Sequence, residues 1–249
     1  MSNGWTAVAW LAALLLPLLL LKRWLSRHLQ GFGLLLTKDQ QTAILLQYLV
    51  LFPGIVLHEL SHLLAAALVG VRTKGFSLHP TATRGGNVRL GAVIVRQSDP
   101  IRESWIGLAP LLSGCAVILL LARWKFGLQQ LSAIRPEALV QSLYSYLRAP
   151  DAWLWLYLIF AVSNAMLPSE SDRQPWGPLL IFLALTAAVV YATRLVPRVP
   201  VAVKEWTLTA VRYLHYAFGL TIGVDALFAA LLFVVEKLAE RILRRRVEY

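Results

Sequence analysis

Five consecutive residues, His58-Glu59-Leu60-Ser61-His62, have the types and spacing of a metal-binding catalytic motif. On a helix, positions i and i+4 project from one face, so both imidazoles can close on a single metal ion. The glutamate between them then reaches a water polarised by that metal and can take its proton. Residue frequencies give about 0.003 chance occurrences of the pattern in a chain with five His and eight Glu. The plain alternative is a pair of histidines and a glutamate hydrogen-bonded inside a helical bundle. Ionisable groups at membrane depth are costly, which weighs against a purely structural role.

A catalytic zinc site usually has three protein ligands and one open position, so a third ligand must come from elsewhere. Two carboxylates compete for that place. Asp172 follows the polar turn Pro168-Ser169-Glu170-Ser171 at the end of one apolar segment, and Asp225 lies inside another. His79 and His215 read as surface or interface histidines, and His28, in a basic stretch, as a solvated one.

The elements that must position these groups are apolar. The 249 residues are 58% hydrophobic and 15% charged, with mean hydropathy +0.62, which excludes an ordinary water-soluble domain and a disordered chain. A bilayer core needs about 20 apolar residues as helix. Six segments qualify: 5–21, 41–69, 104–122, 152–168, 177–193 and 206–235, the last interrupted by Arg212 and Asp225 and expected to span from near Gly219. The expected fold is an all-α multi-pass membrane protein, a single membrane domain over 1–249 with about six transmembrane helices. Seven tryptophans, among them Trp24, Trp105 and Trp206, fall near span ends, where an amphipathic ring favours the headgroup layer. No basic residue precedes the first span, and Lys22-Arg23-Trp24 follows it without a small-residue cleavage site, so it reads as a retained anchor.

A small β-hairpin insertion is expected after the second span, in the region 72–98. There Val88, Leu90, Ala92 and Ile94 alternate with Arg89, Gly91, Val93 and Val95, and Arg84-Gly85-Gly86-Asn87 offers turn chemistry. Asp99-Pro100 reads as cap and first turn of the third helix. Leu139, Val140, Leu143 and Leu147 suggest an interfacial amphipathic helix within 127–149. With six crossings the second, fourth and last spans run in one direction, which brings the histidines, Asp172 and possible ligand Asp225 toward one side.

The net charge of +11 on so apolar a chain points to anionic lipid, through the basic tail 236–249 with Lys237, Arg241 and Arg244 to Arg246. Nucleic acid is excluded, because no aromatic or motif context accompanies the charge. Basic residues divide almost evenly between the two sides of the expected topology, so charge does not orient it. The single cysteine, Cys115, sits in an apolar run and reads as a small packed hydrophobe.

Taken together, these residues resemble the site-2 protease family of intramembrane zinc metalloproteases, in a compact prokaryotic form. The resemblance rests on His58-Glu59-Leu60-Ser61-His62 in an apolar helix, on the hairpin-like segment after it, and on Asn164 preceding Asp172 by eight positions. Gly107-Leu108-Ala109-Pro110 is a looser match. Pro168 stands one position later than the family's usual proline, Arg173 follows Asp172 where glycine is common, and Ser169-Glu170-Ser171 is more polar than usual.

The resemblance implies a zinc endopeptidase of the cell membrane, with one Zn²⁺ per chain held by His58, His62 and Asp172 and with Glu59 as general base and acid. Its substrates would be membrane-embedded or membrane-adjacent proteins or peptides. Asn164 would donate to substrate backbone or oxyanion, or stabilise a helix end. If the basic tail is cytoplasmic, the mouth of the metal site is expected on that side too. Two other classes remain: a non-catalytic metal-binding membrane protein that binds client helices, and a small ion transporter.

Overall fold

The computed structural model describes residues 4–78, 81–82, 88–89, 91–125, 150–193 and 201–245. Its elements in chain order are helix α1 (Gly4–Thr37), helix α2 (Gln40–Leu68), strands β1 (Thr73–Ser77), β2 (Thr81–Ala82), β3 (Val88–Arg89) and β4 (Ala92–Val95), helix α3 (Pro100–Lys125), helix α4 (Ala152–Met166), the short helix α5 (Glu170–Arg173), and helices α6 (Trp176–Ala192) and α7 (Val201–Leu243). The expected turn at 84–87, the amphipathic helix at 127–149 and His79 lie outside the described residues.

Among the described residues, four helical segments are long and apolar enough to cross a membrane: Ala9–Thr37, Gln40–Leu68, Pro100–Lys125 and Glu205–Leu243. A fifth arises if Ala152–Met166 and Glu170–Thr186 form one span, bent by 52°. This differs from the six expected, and the difference lies in the fourth and fifth segments. As α4 and α6 they are helices of 15 and 17 residues. At 1.5 Å per residue each falls short of a bilayer core of about 30 Å, whereas together they cover it.

The packing gives the last helix the opposite direction to the one expected. Gln47 Nε2 donates to Ser26 Oγ (3.0 Å), and two residues beyond Ser26, His28 meets Glu236 (2.6 Å). Glu236 therefore sits toward the α1–α2 turn, while Asp225, earlier on α7, sits against Ser163 near the end of α4. So α7 runs parallel to α1 and antiparallel to α2. Its basic end points away from the end of α2 that carries His62, and the expected link between tail and site mouth is lost. α7 is also one continuous helix through Gly219.

Two more expectations change at α1. The basic stretch after residue 21 is helical, because Leu25 and Leu35 continue a buried stripe that nothing interrupts. At 34 residues α1 is about 51 Å long, enough to carry its basic end beyond a bilayer core. His28 is not solvated: its Nδ1 is paired with Glu236, which is 1% exposed, and its ring stacks on Trp24.

The core joins α1, α2, α3, α4 and α7 through residues such as Leu25, Ile55, Ile118, Phe160 and Phe218, with Cys115 buried among them. Large apolar side chains face outward elsewhere, including Leu16 and Leu20 on α1 and Leu180, Ile181 and Phe182 on α6, as a lipid-facing surface requires. Trp105, Trp124, Trp153 and Trp206 are exposed.

Helix α2 stops at a glycine. Gly70 has φ +71°, and the two N–H groups of Gly70 and Val71 return to Ala67 O (3.2 Å) and Ala66 O (2.9 Å). That pattern reverses the chain and satisfies the last carbonyls. β1 then pairs antiparallel with β4, with Phe76 opposite Val93 and Ser77 opposite Ala92, and β2 pairs antiparallel with β3. The strands lie back along α2, where the Tyr48 hydroxyl donates to Leu78 O.

Candidate metal centre

The helical spacing of His58 and His62 does bring them together: their Nε2 atoms are 3.1 Å apart. Each Nδ1 is tied to a backbone carbonyl of another helix, His58 to Ala165 O of α4 (2.7 Å) and His62 to Ile106 O of α3 (2.9 Å). A carbonyl only accepts, so each Nδ1 carries the hydrogen and each neutral ring presents a lone pair at Nε2. Asp172 completes the group, with Oδ1 3.2 Å from His62 Nε2 and Oδ2 3.5 Å from His58 Nε2. Two imidazole nitrogens and a carboxylate converging in this way form a group able to hold a metal ion. A tetrahedral ion with bonds of 2.0–2.1 Å puts neighbouring ligand atoms about 3.3 Å apart, close to the separations here. Among the described residues this is the one His/Cys/Asp/Glu group with that convergence.

Local sequence explains how Asp172 is held. Ser169 and Asp172 form a capping box at the start of α5: Ser169 N–H donates to Asp172 Oδ2 (2.7 Å), and Asp172 N–H donates to Ser169 Oγ (3.4 Å). The polar stretch that begins at Ser169 thus orients the carboxylate. Gly107 on α3 admits the turn, since a Cβ there would stand 2.2 Å from Asp172 O. α3 itself starts as expected, with Asp99 accepting from Arg102 N (3.0 Å) and Glu103 accepting from Ser98 N (2.8 Å). The Arg102 N–H holds the Asp99 carboxyl below its ordinary value.

Glu59 is 6% exposed and lines the same cavity as His58, His62 and Asp172. Gly91 lies against it, because a Cβ at Gly91 would be 2.7 Å from Glu59 Oε1. The hairpin thereby covers the carboxylate, and Val93 and Val95 of β4 also line the cavity, whose volume is about 560 Å³. It extends from the ligands along α2 past Ile55 and Leu51 to Gln47, with Lys22 and Ser26 on its α1 side.

Asn164 lines the cavity as well, whereas Asp225 and His215 are placed otherwise. Asp225 is 1% exposed and accepts from Ser163 Oγ (2.7 Å) and Asn164 Nδ2 (3.1 Å), apart from the imidazoles. Asn164 also donates to Phe160 O (2.9 Å), so both hydrogens of its amide are engaged within the protein. That favours its helix-stabilising role over donation to substrate. His215 Nδ1 bonds Val211 O (2.8 Å) on its own helix. Sequence reasoning missed the roles of Ser169 and Gly91, and singled out Gly107 only within the looser Gly107-Leu108-Ala109-Pro110 match. The S-x-x-D spacing of Ser169 and Asp172 was the available signal for the first, whereas the glycine contacts have none.

No protein-family model, curated protein or solved structure matches this chain.

Proposed function

We propose that this chain is a zinc-dependent intramembrane endopeptidase, acting on membrane-embedded or membrane-adjacent polypeptides. The observation that carries the reading is the convergence of His58, His62 and Asp172, with Glu59 buried at the same cavity. Two nitrogens and one oxygen suit zinc, one ion per chain, and leave a position open. Bound there, the ion supplies Lewis acidity to a scissile carbonyl.

The protein's own residues do the rest. Glu59 takes a proton from the attacking water as its oxygen bonds to the carbonyl carbon, then delivers that proton to the nitrogen as the C–N bond breaks. The Ala165 and Ile106 carbonyls keep the ligand nitrogens in one tautomer. A helical substrate has to unwind to be cut, and β4 along the cavity offers a strand edge for its freed backbone groups. The basic end of α7 is a contact for anionic lipid.

The test is cleavage of a membrane-spanning reporter by the full chain in vesicles, with bound metal measured alongside. Wild type should hold about one zinc per chain, and Glu59→Gln should keep it while losing about 10²–10⁴ in rate. Metal without cleavage in wild type would favour the binding-only reading, and ion flux without cleavage would favour transport.

A further inference from the structure

The cavity has a second polar region, on α1, that the hydrolytic chemistry does not use. Lys22 and Ser26 stand one helical turn apart and both line it. The Lys22 ammonium makes one hydrogen bond, to Leu167 O at 3.4 Å, and no ion pair among the described residues. Lys125 and Lys237, by contrast, each pair with a carboxylate. An ammonium has three N–H donors, so two remain for the cavity. Asp172 and Asp225 attract Lys22 through space. Neither comes within ion-pair distance of its Nζ: Asp172 faces the imidazoles and Asp225 is held by Ser163 and Asn164.

Ser26 adds a donor. Its oxygen accepts from Gln47 Nε2 (3.0 Å), and its own hydrogen has no acceptor among the described residues. Helical hydroxyls elsewhere donate back to the carbonyl four residues earlier, as Ser61 does to Leu57 O (2.6 Å) and Thr37 to Gly33 O (2.9 Å). Gln47 fills the role that would leave Ser26 with its donor directed elsewhere, and Gln47 is itself 4% exposed and lines the cavity.

We infer that Lys22 and Ser26 form a carboxylate-binding subsite that selects substrate segments carrying an anionic group close to the scissile bond. The inference rests on the proposed protease reading for its substrate class. An ammonium with two spare N–H groups and an adjacent hydroxyl offer donors to both oxygens of a carboxylate, and an amide of equal shape lacks the charge. Apolar Leu51 and Ile55 on the facing α2 wall hold the flanking side chains, so the subsite distinguishes one charge within an otherwise apolar segment. The carboxylate can come from an acidic side chain or from a free C-terminus.

Binding, measured without cleavage, tests this. Fluorescently labelled apolar peptides are titrated against full-length zinc-loaded Glu59→Gln protein in detergent. One series carries Glu or Gln at successive internal positions, and the other ends in a free carboxylate or an amide. We expect at least tenfold tighter binding of the carboxylate member in one series, which names the source. In the Lys22→Met background the ratio should fall below twofold, and Ser26→Ala should lower it partway. Ser26→Ala decides the matter if Lys22→Met fails to fold. Equal affinities in both series, a preference that survives Lys22→Met, or no binding overturns the subsite. Failure of the protease reading is separate: it would show as intact binding with no cleavage by metal-loaded wild type.

Discussion

Among the described residues a histidine meets a carboxylate in two places, and the two differ in which ring nitrogen is tied down. At the α1–α7 contact, His28 uses Nδ1 on Glu236 itself (2.6 Å), and Trp24 stacks on the ring, so the pair is closed. At the metal centre, His58 and His62 give Nδ1 to backbone carbonyls and turn Nε2 toward Asp172 and toward each other. The first arrangement joins two helices. The second leaves lone pairs facing an open cavity, which is what an ion needs. A histidine beside an acid is therefore no sign of a metal site until the other nitrogen is accounted for.

The sharpest way to break this contrast is to delete one histidine from each place. His58→Ala should lose bound zinc and all measurable cleavage, as should Asp172→Ala, while His28→Ala should keep about one zinc per chain in elemental analysis. Next in size is Gly107→Ala. Its Cβ would stand 2.2 Å from Asp172 O, so the α5 turn must shift, at a cost of about 1–3 kcal/mol in thermal unfolding and with weaker zinc binding in chelator competition. Glu236→Ala should cost about 1–3 kcal/mol by leaving the His28 pair unmade, yet leave zinc content unchanged. Equal loss of zinc in the Glu236 and Gly107 variants would erase the distinction drawn here.

The smallest effect is expected at Asp39, the N-cap of α2. It accepts from the Thr42 hydroxyl (2.6 Å) and Thr42 N–H (2.8 Å), which hold its carboxyl below the ordinary value of 3.8. Its contribution is present above that ordinary value and fades as pH falls through the lowered one. Asp39→Asn should therefore flatten only the acid edge of a stability–pH curve measured by thermal unfolding.

What the sequence reveals of the site follows from the range of each interaction. His58 and His62 are legible because i, i+4 spacing fixes one face, and Asp172 because few carboxylates follow an apolar segment. The carbonyl partners Ala165 O and Ile106 O are not legible, since every residue carries such a group and only packing selects two of them. His28 and Glu236 meet across 208 positions, with no local pattern to announce it. The six-span count is not confirmed, for a related reason. Hydropathy registers apolar length but not the 52° bend after α4, so two helices too short to cross singly read as two spans. Asn164 shows the same limit: its spacing from Asp172 was visible, but its engagement with Asp225 came from a helix 61 positions away.

The carbonyls that hold His58 and His62 belong to α4 and α3, and both ligands stand on α2. With Asp172 on α5, an ion bound at this point would be a rivet through the bundle as well as a reagent. Metal affinity and helix assembly would then be a single linked quantity: on the proposed reading, zinc at a thousand times its dissociation constant should add about 4 kcal/mol to the stability of the folded chain. A chelator would consequently loosen the architecture of the protein along with any chemistry it performs.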